Sequence, residues 1–439
     1  MKALALIEHA DRELDLVCLL KALLKARHGV DLQVAGLYVD APLSLADAPP
    51  EVVLTPFFYS ESDSFIRDYV AAWPQARFIN LAWEQLFYPA HQATKRPRKT
   101  FARKRVLHLA WTREFVDFQT RHGVSPENLA WVGHSLYALY GEPYRRYFDD
   151  RRQLAADHGL DPEKRWVFVP ENYRWAFLSE RRLLKMAARG LDEQMLLEMH
   201  RYCVEALAEL IRWCDALGHA GDVEVILRPR PSTPMAAMAA AIGAALGDRA
   251  PSFHLNRDAT AREWTMASDV VVSSYSTVLI EGALAGKRLV RASPLPLPQG
   301  LRYDWCDLVP EAASLEAFLR QCLAEGPDAS HTALAGFARE TFFPVADPVS
   351  AVVDLLAREI ASAPTAPTAR PDVPPAMAIP PEVLDQARRV GPAERLKLFQ
   401  RHLEGFRFIL GSPEKDVFGP EEVEQRTVRW RERLGLEAR

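Results

Sequence analysis

The sequence predicts an α/β fold made of two Rossmann-like parallel-sheet domains, and two observations support this prediction. Along most of the 439 residues, short apolar runs of strand length alternate with stretches of helical period, as in strands joined by crossover helices. The alternation occurs in two series, separated by a polar stretch between residues 140 and 165. We therefore expect one domain at residues 1–160 and a second at residues 161–350, facing each other across a cleft.

The first series contains enough candidate strands for one doubly wound half. They are LALIE (4–8), LQVAGLYV (32–39), VVLTPFF (52–58), ARFINLAW (76–83) and LAWVGH (129–134). The polar stretch that follows contains a helical pattern ended by Gly159. We interpret this stretch as the connector between the two domains.

The second series repeats the pattern and is followed by two segments of different composition. Its candidate strands are WVFVPEN (166–172), VEVILRPRP (223–231), FHLN (253–256), DVVVSS (269–274) and RLVRAS (288–293). Residues 361–381 are so rich in Pro and Ala that we expect a linker without regular secondary structure. Charged helical patterns then predict a helical C-terminal appendage at residues 382–439, which either docks on the domains or leads into a longer chain.

Composition and missing motifs exclude several classes of protein. The formal net charge of −4 argues against a nucleic-acid partner, which usually binds a strongly basic domain. The five cysteines form no C-x-x-C pair and the histidines show no metal-ligand spacing, so we expect no disulfide framework and no metal. No G-x-G-x-x-G, Walker loop or G-x-S-x-G motif occurs, which argues against a dinucleotide oxidoreductase, a P-loop ATPase and an α/β-hydrolase, and we expect no cofactor. No apolar run is long enough for a signal peptide or a membrane helix. We expect a cytoplasmic protein whose contact with the inner face of the membrane is at most peripheral.

Four hydroxyl side chains lie between a candidate strand and a small-residue helical pattern in DVVVSSYSTVLIEGALAGKRLV (269–290). One Ser or Thr is enough to cap a helix, yet Ser273, Ser274, Ser276 and Thr277 all lie in this turn. The larger number favours a phosphate site at the carboxyl end of the strand, formed by Ser274, Ser276 and Thr277. Glu281, about one turn further, would then contact a sugar or ribose hydroxyl.

The strand ILRPRPS (226–232) ends in two arginines, each followed by proline. Because proline holds the preceding residue extended, Arg228 and Arg230 are expected to project from a stiff strand end with little freedom to lose on binding. Two guanidinium groups there suit a phosphate or diphosphate. The alternative is a pair of surface salt bridges.

Two carboxylates at predicted strand ends are candidate catalytic groups. Glu171 follows the strand WVFVP beside several aromatic residues, and Glu84 follows the strand ARFINLAW. A carboxylate in such a place can act as an acid, a base or a nucleophile. Either residue can equally be a helix cap.

The segment KRPRKTFARKR (95–105) is strongly basic. A solvated loop is the simplest interpretation of such a run. The alternatives are contact with an acidic acceptor glycan or with the anionic inner leaflet. The residues concerned are Lys95, Arg96, Arg98, Lys99, Arg103, Lys104 and Arg105.

Several segments, in this order, resemble bacterial surface carbohydrate biosynthesis proteins. These are GT-B-type transferases related to capsule and lipopolysaccharide Kdo transferases and, more distantly, to the CDP-glycerol glycerophosphotransferases of teichoic acid synthesis. The resemblance covers about residues 1–350 and is carried by IEHADRELDLVCLLKALLKARHG (7–29), NLAWEQ (80–85), VGHSLYALYGEPYRRYFDDRR (132–152), ILRPRPS (226–232) and WTMASDVVVSSYSTVLIEGALAGKRLV (264–290).

The resemblance implies a set of donor-site residues. An R-P-H-P element and a later S-S/T element of that group bind the phosphate of a cytidine nucleotide, which implies that role for Arg228 to Pro231 and for Ser276 and Thr277. This chain departs from the pattern of that group at two positions. Arg230 stands where relatives have a histidine, and arginine is a poor general base; Gly133-His134-Ser135-Leu136 stands where they have G-x-P-R.

The sequence and the resemblance together predict a metal-independent glycosyltransferase. The expected reaction moves Kdo from CMP-Kdo onto a surface polysaccharide or lipid-linked oligosaccharide, with Glu171 or Glu84 as the catalytic carboxylate. The second domain would bind the nucleotide sugar and the first the acceptor, in contact with other assembly enzymes or the membrane. The alternatives are a CDP-alditol phosphotransferase, a UDP-sugar epimerase on the same fold, or a non-catalytic nucleotide-binding scaffold in polysaccharide assembly.

Overall fold

The computed structural model describes residues 3–63, 65–86, 95–148, 150–188, 192–231, 233–325, 329–362, 380–402 and 416–436. Within these ranges the chain divides into two compact units. Unit 1 contains residues 3–86, 95–147 and 341–436, with the gaps just given, and unit 2 contains residues 148–340. The sequence placed the corresponding boundaries at residues 160 and 350.

The shift from 160 to 147 has a structural reason. The polar stretch contains a helix, Arg151–His158, that packs on unit 2. Arg151 forms a 2.8 Å ion pair with Asp269, and the ring of His158 lies 5.1 Å from that of Trp264. The part of the predicted connector from residue 148 onward, which contains this helix, therefore belongs to the second unit, and residues 140–147 belong to the first.

Unit 1 is built on a six-stranded parallel sheet with the strand order β2-β1-β3-β4-β5-β6. The strands are β1 (Ala3–Ile7), β2 (Leu32–Gly36), β3 (Val52–Thr55), β4 (Arg77–Asn80), β5 (Val106–Ala110) and β6 (Leu129–Trp131). All five candidate strands are present. Strand β5, a short VLHLA segment that directly follows the basic run, was not predicted.

The helices of unit 1 that precede unit 2 in the chain cover the sheet. They are α1 (Ala10–His28), α2 (Ala41–Ala46), α3 (Ile66–Ala72), α4 (Thr100–Lys104), α5 (Arg113–Arg121) and α6 (Ser135–Ala138), with 3-10 turns at Pro126–Asn128 and Tyr144–Tyr147. Helix α1 buries Leu14, Leu16, Val17, Leu20 and Leu24 completely, and these residues supply its apolar face.

Unit 2 repeats this plan, with a six-stranded sheet in the order β12-β11-β10-β7-β8-β9. The strands are β7 (Arg165–Pro170), β8 (Val223–Arg228), β9 (His254–Leu255), β10 (Val270–Ser273), β11 (Arg288–Ala292) and β12 (Glu311–Ala312). All pairs are parallel. The two-residue strand β12 is too short to leave a periodic signal and was not predicted.

The helices of unit 2 enclose its sheet. They are α7 (Arg151–His158), α8 (Glu180–Ala187), α9 (Glu193–His219), α10 (Met235–Leu246), α11 (Ala261–Ala267), α12 (Val278–Leu284), α13 (Leu315–Leu323) and α14 (Ser330–Phe342), with 3-10 turns at Arg174–Phe177, Gln299–Leu301 and Asp304–Leu308. The end of α14 belongs to unit 1. Helix α9 buries its apolar face in the core of the unit.

The C-terminal helices belong to unit 1. They are α15 (Pro348–Ser362), α16 (Pro381–Arg389), α17 (Pro392–His402) and α18 (Pro420–Leu434). On α18 the fully buried ring of Trp430 stacks at 3.9 Å on Tyr147, and its Nε1 donates a 2.8 Å hydrogen bond to the carbonyl of Asp15. The predicted C-terminal appendage therefore packs on unit 1 through α18. Most of the predicted linker, residues 363–379, lies outside the described residues.

The strand orders define where each sheet can bind a ligand. In unit 1 the chain passes from β1 to β2 on one side and then returns to β3 on the other side of β1. In unit 2 it passes from β7 to β8 and returns to β10 on the other side of β7. Such switch points open a crevice at the carboxyl ends of the strands, where open α/β sheets bind ligands. Across the described residues, no helix has the length and apolar composition to cross a membrane.

Candidate functional site

The carboxylate of Glu171 organises the carboxyl edge of the unit 2 sheet. Glu171 follows β7, and its Oε2 accepts hydrogen bonds from the backbone N of Arg230 (3.2 Å) and the hydroxyl of Thr233 (2.8 Å). Its Oε1 accepts from the backbone N of Tyr173, and the side chain is only 2% exposed. The carboxylate therefore fixes the loop after β8, and both of its oxygens are engaged.

The two predicted arginines have different surroundings. The guanidinium of Arg228 is buried and donates from Nε and Nη2 to the carbonyl of Ala259, at 3.2 and 2.9 Å. The sequence predicts that this guanidinium projects from the strand end. That prediction is wrong, because the guanidinium binds the carbonyl of Ala259 in the loop after β9. Arg230 is half-buried, and its backbone is held by Glu171. Of the two, Arg230 is the one placed to reach a ligand.

The four hydroxyls at the end of β10 and in the turn after it separate into two pairs. Ser273 and Ser274 are buried, and the hydroxyl of Ser274 is hydrogen-bonded to that of Tyr173. Ser276 and Thr277 are half-buried, and the side chain of Thr277 makes no capping hydrogen bond to α12. The first pair therefore belongs to the core, and only the second pair is available at the surface.

The small residues of α12 bring this helix close to the sheet. A Cβ on Gly282 would lie 2.8 Å from Leu289 Cδ2 and 3.2 Å from Val271 Cβ, so no larger residue fits without a shift. This contact fixes the helix that carries Glu281, which is half-buried one turn from Thr277.

Two buried polar groups at the same edge have no hydrogen-bond partner among the described residues. They are Nδ2 of Asn172, which follows Glu171, and the hydroxyl of Ser273, which ends β10. These residues come from the two strands that flank the switch point of unit 2. An unpaired buried donor costs about 1–3 kcal/mol, so a polar ligand at this edge would be stabilised by them.

In unit 1 the motif NLAWEQ (80–85) forms a fixed turn after β4. The side chain of Asn80 binds Nδ1 of His108 (2.9 Å) and accepts from the backbone N of Ala82 (2.9 Å). The side chain of Gln85 donates to the carbonyl of Leu109 (2.8 Å) and accepts from the backbone N of Trp111 (2.7 Å). These buried bonds hold the turn so that Glu84 points outward.

Glu84 is 46% exposed at its side chain and lies between two cations. Lys95 Nζ forms an ion pair with one carboxylate oxygen, and Arg12 Nη1 lies 3.4 Å from the other. Partial burial acts to raise the pKa of Glu84, but the attraction of Lys95 and Arg12 outweighs it and lowers the pKa below its usual range. Glu84 is therefore ionised at neutral pH and is a weak base.

The start of α1 carries a cluster that sequence reasoning missed. Arg12 pairs with the fully buried carboxylate of Glu13 at 2.7 Å, and Glu13 also accepts from the backbone N of Glu8 at 2.8 Å. His9 Nδ1 lies 3.2 Å from a carboxylate oxygen of Asp416. The histidines, His9 among them, show no metal-ligand spacing in the sequence and are interpreted from it as structural. The partner of His9 is 407 residues away. No local pattern links the two.

The basic run is mostly bound to unit 1 itself. Lys95 pairs with Glu84, Arg98 with Asp63 and Lys99 with the hydroxyl of Ser62, while Arg103, Lys104 and Arg105 donate to the carbonyl of Pro97, the hydroxyl of Ser125 and the carbonyl of Pro74. Arg96 is exposed. Only part of the predicted positive surface is therefore free to meet an acidic glycan or a membrane.

In the ranges that the structure describes, no group of three or more His, Cys, Asp or Glu side chains could hold a metal ion. All five cysteines are buried and reduced. Burial raises the pKa of Cys203 to about 12, so this thiol, which lies near Tyr275, is not a nucleophile at neutral pH.

No family model and no curated protein matches the chain. Among solved structures, it is similar to the wall teichoic acid polymerase TagF (H444N variant), with a TM-score of 0.51 and 10% identity over 82% of this chain and 89% of that one. It is also similar to a putative UDP-N-acetylglucosamine 2-epimerase from Listeria monocytogenes (TM-score 0.47, 12% identity, 86% and 99% covered) and to the lipopolysaccharide glycosyltransferase WaaG (0.44, 14%, 81% and 99%). At these identities the TagF comparison shows the fold alone. The predicted GT-B-like fold of two Rossmann-like units is confirmed.

Proposed function

We propose that this chain is a GT-B-type glycosyltransferase that moves a sugar from a nucleotide donor onto a surface polysaccharide or a lipid-linked oligosaccharide. One observation supports the proposal above the others. The carboxylate of Glu171 holds Arg230 and Thr233 after β8 at the switch point of unit 2, where an open parallel sheet binds its ligand. The polar groups of Asn172 and Ser273 that have no partner among the described residues lie at the same edge.

In this proposal unit 2 binds the donor. The guanidinium of Arg230 and the hydroxyls of Ser276 and Thr277 stabilise the phosphate that leaves with the nucleotide, and Glu281 contacts a sugar or ribose hydroxyl. Fixed donors of this kind can stabilise a leaving phosphate without a metal ion. Arg228 contributes by holding the loop, because its guanidinium already binds the carbonyl of Ala259.

Glycosyl transfer also needs a group that deprotonates the acceptor hydroxyl, or a nucleophile that forms a covalent intermediate. The burial of Glu171 and the hydrogen bonds to both of its oxygens favour a positioning role for this residue. Glu84 in unit 1, the proposed acceptor side, is exposed, but its ion pairs with Lys95 and Arg12 make it a weak base.

For the donor we propose CMP-Kdo first, on the strength of the sequence resemblance. A CDP-alditol phosphotransferase is the second candidate, and the similarity to TagF, a wall teichoic acid polymerase, supports it at the level of fold. The arginine at position 230, where relatives have histidine, counts against this second reaction. A UDP-sugar epimerase and a non-catalytic scaffold are further outcomes of the test.

The test uses the full chain with three donors: CMP-Kdo, CDP-glycerol and UDP-N-acetylglucosamine. We expect release of CMP from CMP-Kdo alone, and binding of CMP by calorimetry. Turnover of CDP-glycerol alone would favour the second candidate, and binding of CMP without turnover of any donor would favour a scaffold. Failure to bind any cytidine nucleotide would contradict the proposed donor site.

A further inference from the structure

His9 lies at the switch point of unit 1. It comes two residues after the end of β1, the strand beside which the chain reverses direction across the sheet. Its Nδ1 is 3.2 Å from Oδ2 of Asp416, and Oδ1 of the same carboxylate accepts a 3.2 Å hydrogen bond from the backbone N of Ala10. One carboxylate therefore holds both the imidazole ring and the first turn of α1.

Among the residues that the structure describes, none forms a hydrogen bond with the second ring nitrogen of His9, Nε2. Its nearest acidic atom, Oε1 of Glu8, is 4.0 Å away, beyond hydrogen-bond distance, and the side chain is 36% exposed. A carboxylate can only accept, so of the two neutral tautomers of His9 Asp416 favours the one with hydrogen on Nδ1. In that tautomer Nε2 carries the lone pair that can accept a proton.

The other charges around this histidine are already engaged. Arg12 pairs with Glu8 (3.6 Å), Glu13 (2.7 Å) and Glu84 (3.4 Å). Glu8 also accepts a 3.0 Å hydrogen bond from the hydroxyl of Tyr38. Among these side chains, His9 is the one with an open proton-accepting atom at the carboxyl edge of the sheet.

We propose that Nε2 of His9 accepts the proton of the acceptor hydroxyl during transfer, and that Asp416 is the positioning residue that sets its tautomer. The inference rests on the proposed function. The acceptor oxygen forms a bond to the anomeric carbon, the bond from that carbon to the phosphate oxygen breaks, and its electron pair leaves with the nucleotide. The hydroxyl proton moves to Nε2.

The first test measures the tautomer and needs no activity. Nitrogen-15 NMR of the full chain should show His9 protonated on Nδ1 at neutral pH. In Asp416→Asn the amide can donate to Nδ1, so the resonances should shift to the tautomer protonated on Nε2. A wild-type ring protonated on Nε2 would overturn the inference.

The second test is kinetic. His9→Gln and His9→Ala should lower kcat by about 10²-fold or more, the usual contribution of a general base, with an unchanged KM for the donor. Added imidazole should restore part of the turnover of His9→Ala, which it would not do for a residue with a purely structural role. Asp416→Asn should lower kcat by a smaller factor, again with the donor KM unchanged.

A matched control comes from the same C-terminal segment. Arg388→Gln removes an exposed ion pair with Asp47 (3.2 Å) that also joins this segment to the rest of unit 1, and it should keep wild-type kcat. Full activity of His9→Gln would overturn the inference and leave the proposed function intact. If the wild-type chain turns over no nucleotide sugar, the proposed function fails, whereas the tautomer can still be measured.

Discussion

The hydroxyl of Thr233 donates a 2.8 Å hydrogen bond to the buried carboxylate of Glu171, and this bond ties the loop after β8 to the end of β7. Thr233→Val should lower the free energy of unfolding by about 1–3 kcal/mol, because it removes a donor from a buried carboxylate, and should weaken nucleotide binding. Thr233→Ser keeps the hydroxyl and should behave like wild type. Urea denaturation and calorimetry measure both effects.

Glu171→Gln separates a positioning role from a catalytic one. If Glu171 only fixes the loop, the variant should lose nucleotide affinity and stability together, since glutamine keeps one acceptor oxygen but lacks the charge. If Glu171 is a base or nucleophile, kcat should instead fall by 10²-fold or more with unchanged nucleotide affinity. The ratio of the two effects, from kinetics and calorimetry on one preparation, decides between the roles.

Ser276 and Thr277 are predicted to bind the donor phosphate, and only Ser276 also contacts the start of α12, where its hydroxyl accepts a 3.3 Å hydrogen bond from the backbone N of Val278. The double variant Ser276→Ala with Thr277→Ala should weaken donor binding at least tenfold and leave the free energy of unfolding within about 1 kcal/mol of wild type. Ser314→Ala is the matched control, because Ser314 accepts a 3.2 Å bond from the backbone N of Ala317 and caps α13. That control should lose stability but keep nucleotide affinity.

The fold was predictable because strand and helix periods are local properties of a sequence. Apolar runs such as VVLT (52–55) and VVVS (270–273) are buried strands as expected. The strand VLHLA (106–110) was missed because its central histidine breaks the apolar run and a basic segment precedes it. Its His108 is buried only because Asn80 and Ala102 satisfy both ring nitrogens.

The candidate site was predictable only in part. Parallel strands present their carboxyl ends at one edge, so the positions of Glu84, Glu171 and Arg230 at such edges followed from the sequence. Their contacts did not follow, because most of the partners lie on loops and a helix that are distant in the sequence: Thr233 for Glu171, and Arg12 for Glu84. The contact of Asp416 with His9 joins opposite ends of the chain, and no spacing rule reaches that far.

The C-terminal helix α18 is predicted to be part of the folded body of unit 1. Trp430→Ala should lower the free energy of unfolding by about 3–5 kcal/mol, because a fully buried ring stacked on Tyr147 is lost. Val428→Ala, at a site that is 37% exposed on the same helix, should change it by less than about 1 kcal/mol. Equal effects of the two variants in urea denaturation would contradict the docking.

The basic run is predicted to bind anions through few of its residues. Arg96→Gln removes an exposed charge, whereas Arg98→Gln also removes an ion pair with Asp63. If the run contacts a membrane, Arg96→Gln should weaken cosedimentation with vesicles containing anionic lipids and should not alter stability. Binding of the wild-type chain to neutral and anionic vesicles alike would contradict a contact through charge.

Stability should depend on pH through His108. Burial lowers the pKa of His108 from 6.5 to about 4, against the hydrogen bond to the carbonyl of Ala102, which acts to raise it. Between these two values the unfolded chain binds a proton that the folded chain does not, so the free energy of unfolding should fall as the pH drops from about 7 to 4. The full loss is about 3 kcal/mol for this group.

Urea denaturation at several pH values should show this dependence of the free energy of unfolding on pH. The variant His108→Gln cannot take up the proton. It should be less stable than wild type at pH 7, and the slope of its free energy of unfolding against pH should correspond to up to one fewer proton bound on unfolding. An identical slope in both proteins would assign the pH dependence to other groups.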